Sequence, residues 1–401
     1  KWEITSLIPG KTYYVRIRTF YVTAGKVFRS KWSEAKKFRT LPALNGDTSK
    51  FALFNANIAA EILRDRTAKA GAGNYLFSPL SLYEDLAMAA GGSKGTTRTE
   101  LESYLGTSLE DAGSMVSGFN ADLPVSVRIA NSIWTNESCG ELDEDFRKNA
   151  ESVYDAQIRS LPFDDAGANE INQWVKEKTK DMIPSIIDRL YPDEVMHLIN
   201  ALAFEANWKT PYESQDIKDS KFTDINGKTE DCVMLSSTEK EYVDLNDENG
   251  NTIAYGFLRP YDDGMTAFLG LLPETNFSVD DILNRLNGET WSSMFQNRRA
   301  YTNGTLYAGI PEFSLDDSID LNEYLQNAGV VQAFTEDADF SGIMKDYPNV
   351  MINSVQQKTH IEVDRNGTKA AAVTDIGIKT SSFLTDRKDL YIILNRPFVY
   401  A

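Results

Sequence analysis

The chain has 401 residues, 42% of them hydrophobic and 11% aromatic, which describes a sequence able to bury a large core and excludes a disordered one. A formal net charge of -18 sets it against phosphate backbones and anionic membrane surfaces and is read as a source of solubility. Cys139 and Cys232 show no C-x-x-C spacing, His197 and His360 form no H-E-x-x-H pattern, and no apolar run approaches the ~20 residues of a membrane helix, so redox, zinc and membrane-spanning classes have little to build on.

Residues 1 to 41 are basic and strand-rich. Tyr13, Val15, Ile17 and Thr19 alternate with Tyr14, Arg16 and Arg18, the period of a half-buried strand, after a turn signal at Leu7-Ile8-Pro9-Gly10. Val27-Phe28 and Ala35 to Arg39 follow at hairpin spacing. With Leu7, Pro9, Gly10, Tyr13, Arg16, Arg18, Trp32, Ser33 and Glu34, this stretch resembles the last three strands of a fibronectin type III domain. The resemblance implies a tyrosine-corner role for Tyr13. Less than half of such a domain is covered, so its apolar face is expected to lack a partner sheet.

Residues 42 to 49 read as a linker. A helix follows, with Asp47, Thr48 or Ser49 as cap and Phe51, Phe54, Ile58 and Ile62 on one face. Ser78-Pro79 predicts a second helix, serine as cap and proline in the first turn, with Leu82, Leu86, Met88 and Ala89 inward. Strands are predicted at Val125 to Trp134, Met196 to Trp208, Thr266 to Leu272, Val350 to Val363 and Tyr391 to Ala401, and helices at Ala168 to Leu190 and Leu321 to Gly329. The mixture lacks a βαβ rhythm, which indicates an α+β fold. Gly91 to Thr97 lacks phosphate-loop spacing and reads as a solvated turn. No G-x-S-x-G elbow exists, and the pairs Asp164-Asp165, Asp262-Asp263 and Asp316-Asp317 read as solvated loop charges.

The informative stretch is Gly367 to Ser382, GTKAAAVTDIGIKTSS, which follows a strand at Lys358 to Val363. Thr368, Ala370, Ala372, Thr374, Ile376 and Ile378 form an uncharged face. Lys369, Ala371, Val373, Asp375, Gly377 and Lys379 form a charged one. That is a strand with one buried side, yet it runs into a polar stretch, Thr380 to Asp389. The conflict predicts two states, exposed bait and inserted strand. Fourteen extended residues would span ~46 Å. The ladder bonds and two buried isoleucines would contribute an amount comparable to the ~5–15 kcal/mol that holds a domain folded.

Five motifs in order then resemble the serpin family over residues 50 to 401: Asn74 to Ser81, Asn200 to Trp208, Ala338 to Ile343, Asn366 to Ala372 and Asn395 to Phe398. The resemblance implies an α+β fold of three β-sheets and eight to nine helices with an exposed reactive-centre loop. It places Ser78, Ser81 and Asn200 in the shutter beneath the main sheet, with Gln357 where the family usually has histidine. Trp208 becomes the breach residue where insertion begins. Gly367, Thr368, Ala370, Ala371, Ala372, Val373 and Thr374 become the hinge. Arg365 and Lys369 stand where glutamate is common and are expected to point outward without consequence. Counting along the loop puts the reactive bond at Ser381-Ser382, with Lys379, Phe383 or Leu384 if the count is displaced.

What this implies is a suicide-substrate inhibitor, not an enzyme. Its partner is a serine protease, or a cysteine protease, held as a covalent acyl complex. No cofactor, metal or nucleic acid takes part, and the inhibitor is a monomer, of bacterial type and secreted or attached to the cell surface. The alternative is a non-inhibitory serpin acting as a binding or carrier protein, and a third reading is adhesion through residues 1 to 41. Lys1 is not a methionine and Ala401 falls inside a predicted strand, so both ends read as cut, the serpin domain at its C-terminus.

Overall fold

Serine hydroxyls interrupt the alternating strand near the start of the chain. In the computed structural model, which describes residues 12–23, 26–39, 46–71, 73–344, 350–368 and 388–401, β1 (Thr12–Val15) pairs with β4 (Lys36–Arg39), and β2 (Phe20–Thr23) with β3 (Lys26–Arg29). Between these ladders the Ile17 and Thr19 amides donate to the hydroxyls of Ser33 and Ser30 (2.9 and 3.0 Å), so the expected strand Tyr13 to Thr19 breaks after Val15. Ser30 and Ser33 donate backbone N–H groups back to Thr19 and Ile17, which makes the four pieces one long hairpin. Tyr14, Ile17, Phe20, Tyr21 and Trp32 are exposed on it. The side chain of Tyr13 lies outside the described residues. This hairpin belongs to a compact unit, Lys1–Ser49, separate from a second, Lys50–Ala401.

The second unit begins within α1 (Gly46–Ala70), whose first turn lies in the residues expected as a linker, and continues with α2 (Pro79–Ala90), α3 (Gly95–Leu105) and α4 (Leu109–Ala121). Then come β5 (Val127–Asn136), α5 (Glu144–Tyr154), β6 (Gln157–Leu161), α6 (Asp165–Lys178), β7 (Met196–Phe204) and β8 (Ala206–Asn207). A run of strands follows: β9 (Ile217–Thr223), β10 (Thr229–Glu239), β11 (Glu241–Asn246), β12 (Thr252–Pro260) and β13 (Ala267–Pro273). After α7 (Val279–Arg285) and α8 (Gly288–Gln296) come β14 (Arg299–Ala300), β15 (Leu306–Pro311), β16 (Phe313–Asp320) and α9 (Asn322–Asn327). The unit closes with β17 (Gln356–Val363), β18 (Gly367–Thr368), β19 (Leu390–Ile393) and β20 (Val399–Tyr400).

These strands make sheets ordered β19-β15-β10-β9 and β14-β11-β12-β13-β20, and a third sheet that is divided. Its parts are β6-β5-β7 and β16-β17-β18-β8. Since β8 resumes β7 after the single residue Glu205, they form one sheet with a split running between β7 and β17. The interior of the unit is built on this plan. Phe51, Ile58 and Ile62 of α1 pack with the buried run Leu82 to Ala90 of α2, as their spacing predicts. On the opposite face Ile171, Trp174 and Val175 of α6 cover Trp134 of β5 and Ile199 and Ala201 of β7.

Ser78 caps α2 by accepting the Ser81 amide, with Pro79 in its first turn, as read from the sequence. Other boundaries shift. The helix expected to reach Leu190 stops at Lys178, because Lys180 and Asp181 take left-handed φ of 51° and 67° and Pro184 follows. The strand expected from Val350 starts only at Gln356. Tyr391 to Ala401 is two strands in two sheets, β19 beside β15 and β20 beside β13, divided at the Arg396-Pro397 turn. The acidic pairs are not idle charges: Asp164 caps α6, Asp263 accepts from Ser126 and Thr266, and Asp317 holds Arg66. The turn at Gly91 to Thr97 is solvated at Gly91, Lys94, Gly95 and Thr96, as expected, while Gly92, Ser93 and Thr97 are buried beside Ala338 to Ile343. There Lys94 donates to the Asp339 carbonyl (2.8 Å), the Asp339 amide donates to the Thr97 hydroxyl (3.0 Å), and a Cβ on Gly92 would overlap Ile343.

Gly92→Ala is expected to destabilise the protein by about 1–3 kcal/mol in denaturant titration through this overlap. Gly118→Ala in α4, where a Cβ meets open space, is the control and is expected to be neutral or stabilising by up to ~1 kcal/mol.

Candidate functional site: a split sheet with a strand at its mouth

Along the split, β7 pairs only with β5, and β17 only with β16 apart from its last residue, so each presents a bare ladder edge among the described residues. The mouth is closed by a strand of two residues. Gly367 pairs with Asn207, and Thr368 with both Ala206 and Val363. Both are buried, and a Cβ on Gly367 would overlap the Ala206 carbonyl, so the close approach of this backbone requires glycine.

The turn that feeds this strand is tied down residue by residue. The Asp364 carboxylate accepts the amides of Asn366 (2.7 Å) and Gly367 (3.0 Å). The Trp208 indole donates to the Asp364 carbonyl (2.8 Å), and its backbone N–H donates to the Asn366 carbonyl (2.9 Å). Trp208 is 1% exposed and stacks on Tyr261 at 4.7 Å. The Tyr261 hydroxyl in turn meets the Thr368 hydroxyl at 2.7 Å. Burial pushes the Tyr261 phenol above its ordinary range, which keeps it neutral as a hydrogen-bonding group. Behind Trp208 the Arg259 guanidinium lies 3.9 Å from the Tyr212 ring centre and pairs with Glu239 at 2.6 Å. Arg365 points outward as expected but is engaged, donating through Nε and Nη2 to both oxygens of Glu312 at 2.9 Å, with its backbone N–H adding a third bond.

Deeper in the split the four expected shutter residues fall into two groups. The Ser78 amide donates to the Gln357 side-chain oxygen (2.7 Å), and the Gln357 amide donates back to the Ser78 carbonyl (2.8 Å). The hydroxyls of Ser78 and Ser81 lie 3.0 Å apart. Glutamine therefore fastens β17 to the start of α2. Asn200 does not join them; its amide donates to Asn131 (2.8 Å) and Glu84 (3.2 Å). Glu84, fully buried on α2, also accepts from Asn120 and Asn131 at 3.0 Å. Burial pushes its carboxyl above the ordinary range, partly offset by Asn131 and Asn120, and pushes the neighbouring Asp85 well up too. Glu84 escaped the sequence reading, although Ser81, Glu84 and Met88 share one helical face. Tyr261, Asp364 and Glu312 left no sequence signal, because their partners are remote in the chain.

The calls on Ala370, Ala371, Ala372, Val373, Thr374, Ser381 and Ser382 lie outside the described residues.

The chain matches the family described as Serpin (serine protease inhibitor) over residues 54–401. It belongs to the serpin family. Leukocyte elastase inhibitor A of Rattus norvegicus is 27% identical, the match covering 86% of this chain and 93% of that protein. Human thyroxine-binding globulin is 26% identical over 88% of each chain. The solved structure of the thermophilic serpin tengpin in its native state superposes with a TM-score of 0.77 at 33% identity, covering 88% of this chain and 90% of tengpin. Serpins are typically protease inhibitors and not enzymes, and this serpin carries the same nine-helix α+β fold among its described residues.

Two outcomes follow from the ionic contacts. Arg365→Glu, which restores the residue common in the family, is expected to lower the thermal midpoint by setting two carboxylates together, and Glu312→Arg in the same chain is expected to restore it. Glu84 holds its proton more tightly folded than unfolded, so its contribution to stability is full below its ordinary value of 4.5 and is lost as pH rises through the raised value. The stability of the natural protein relative to Glu84→Gln should therefore fall with rising pH in denaturant titrations, and parallel pH profiles would contradict this.

Proposed function

We propose that this serpin is a suicide-substrate inhibitor of a serine protease. One observation carries the reading: Gly367 and Thr368 already stand as a strand in the mouth of the split, between β8 and β17. Continuing that register would place Ala370 between Phe204 and Ile361, Ala372 between Leu202 and Thr359, and Thr374 between Asn200 and Gln357. Thr368 is buried beneath Tyr261, so the residues that follow it at period two would face the interior. These form the uncharged face of the segment, and the three alanines would meet no steric cost. The new strand would run antiparallel to both neighbours and satisfy both bare edges.

The chemistry belongs to the protease. Its serine oxygen attacks the Ser381 carbonyl, the peptide bond breaks, Ser382 leaves with a new amino terminus, and Ser381 remains as an acyl ester. Insertion of the freed arm then drags the tethered protease before water can attack the ester. The serine pair and the likeness to a protein named as an elastase inhibitor support a protease with a small-residue pocket. The antiparallel strands of the first unit, with their exposed aromatic side chains, are in keeping with our reading of it as a fibronectin type III fragment, and the secreted or surface-attached, bacterial-type setting is part of the same proposal.

Incubation with elastase-like and subtilisin-like proteases is expected to give an SDS-stable complex cut at Ser381-Ser382, and a nick there is expected to raise the thermal midpoint. Ala372→Pro, which cannot complete the ladder, should be cleaved without complex formation. Cleavage of the natural chain with neither complex nor thermal gain would overturn the reading and favour a carrier role, of the kind that the name thyroxine-binding globulin describes for that relative.

A further inference from the structure

The chain returns from the bait segment at Lys388, and the return is held in place. The Tyr301 hydroxyl donates to the Lys388 carbonyl, the Thr305 amide donates to the Asp389 carboxylate (2.9 Å), and the Leu390 amide donates to the Thr305 carbonyl (2.9 Å). A Cβ on Gly304 would overlap the Lys388 carbonyl, so the approach is close. From there β19 runs parallel to β15, with Tyr391 opposite Tyr307. Leu306, Ala308 and Ile392 are buried, so the alternation of the strands turns Tyr307 and Tyr391 to the other face. Their rings stack at 4.9 Å with 13° between the planes. This cross-strand stack occupies one face of each ring. It leaves Tyr391 63% exposed three residues after the return. Beside the return, Tyr301 meets the half-buried Tyr242 edge-on at 5.7 Å, and Arg299 lies over Tyr242 at 5.2 Å with its charge answered by Asp244.

We propose that Tyr391, backed by Tyr307, is a second contact for the target protease, outside the protease's catalytic cleft, and that it selects among proteases able to cut the same bait. The inference rests on the suicide-substrate reading given above. Reach makes the protease the occupant. Ser382 stands six residues before Lys388, a span of at most about 22 Å when fully extended. A protease of about 250 residues has a radius of gyration of ~18 Å. An enzyme closed on Ser381-Ser382 is therefore held about one molecular radius from the return, on the side where the new amino terminus leaves. The rim of its cleft on that side faces Tyr391. A ring already stacked on a neighbour loses little freedom on contact, and exposed tyrosines of this kind carry a large share of binding energy at interfaces. The surface offers aromatic faces and one neutralised guanidinium, so it fits an apolar or backbone-lined rim rather than a charged one.

Association rate constants of the full chain with an elastase-like and a subtilisin-like protease, two enzymes of unrelated fold, test this. Tyr391→Ala is expected to slow association about tenfold with one of the two and by less than about twofold with the other. Tyr391→Phe keeps the ring and should stay within about threefold of the natural chain, and the fall in Tyr391→Ala should persist in about 0.5 M salt because no charge steers the contact. Tyr191→Ala, which removes a tyrosine 51% exposed in the loop after α6, is the control and should leave both rates unchanged. The yield of SDS-stable complex per cleaved inhibitor should be the same for Tyr391→Ala and the natural chain. A fall of equal size with both proteases, or a lower complex yield, overturns the docking role, because a displaced loop would slow every protease alike. Natural rates for Tyr391→Ala with both enzymes overturn the second contact and leave the inhibitor reading standing. If neither protease forms a complex with the natural chain, the inhibitor reading fails and this inference with it.

Discussion

Two strand edges that lie in the interior without ladder partners are the constraint on which the rest of this structure depends. Backbone N–H and C=O groups removed from water demand hydrogen bonds, and a folded chain rarely leaves a row of them unmet. Among the described residues β7 and β17 present such edges on either side of one split, and Gly367 and Thr368 bridge its mouth. A net gain of ~1 kcal/mol for each new ladder bond would make a full strand in the split worth about as much as the stability of an ordinary domain.

The surroundings divide the work of holding. At the mouth the aromatic stack of Trp208 and Tyr261, the Asp364 turn and the Arg365 to Glu312 pair fix Gly367 and Thr368 in a defined register with β8 and β17. Midway, α2 is fastened to both sides of the split, to β17 through Ser78 and Gln357 and to β7 through Glu84 and Asn200. A strand passing between β7 and β17 must change the distance between these two attachments. On the outer face, the loop after α6 is pinned by Asn172, which binds the backbone of Ile186 and Ile187, and Lys358 of β17 reaches Asp188 in the same loop at 3.2 Å. The split is therefore bounded on three sides by contacts that are individually small.

Local patterns carried much of this into the sequence. Ser78-Pro79 announced the start of α2, the apolar spacing in α1 and α2 announced their buried faces, and the strand read at Lys358 to Val363 announced β17. Each depends on neighbours a few residues away, where propensity and periodicity act. Boundaries set by tertiary partners were not legible. The stop of α6 at Lys178 follows from two left-handed residues, and the break between β19 and β20 follows from the chain crossing from one sheet to another. Asn200 and Ser78 bond to different partners for a related reason. Family motifs say which residues are near the split, but hydrogen bonds decide which of them touch, and an acid on the inner face of α2 drew Asn200 away.

That acid and the hinge arginine show how a substitution at a family position is to be weighed. Arg365 stands where a glutamate is common, and by itself the change looks disruptive or idle. It is neither, because Glu312 supplies the opposite charge across the turn and takes the guanidinium with both carboxylate oxygens. Glu84 is the harder case, since no cation answers it among the described residues and burial raises the cost of its charge. Three amides gather around it instead, those of Asn120, Asn131 and Asn200, so neutral donors from α4, β5 and β7 offset part of that cost and tie α2 to all three elements.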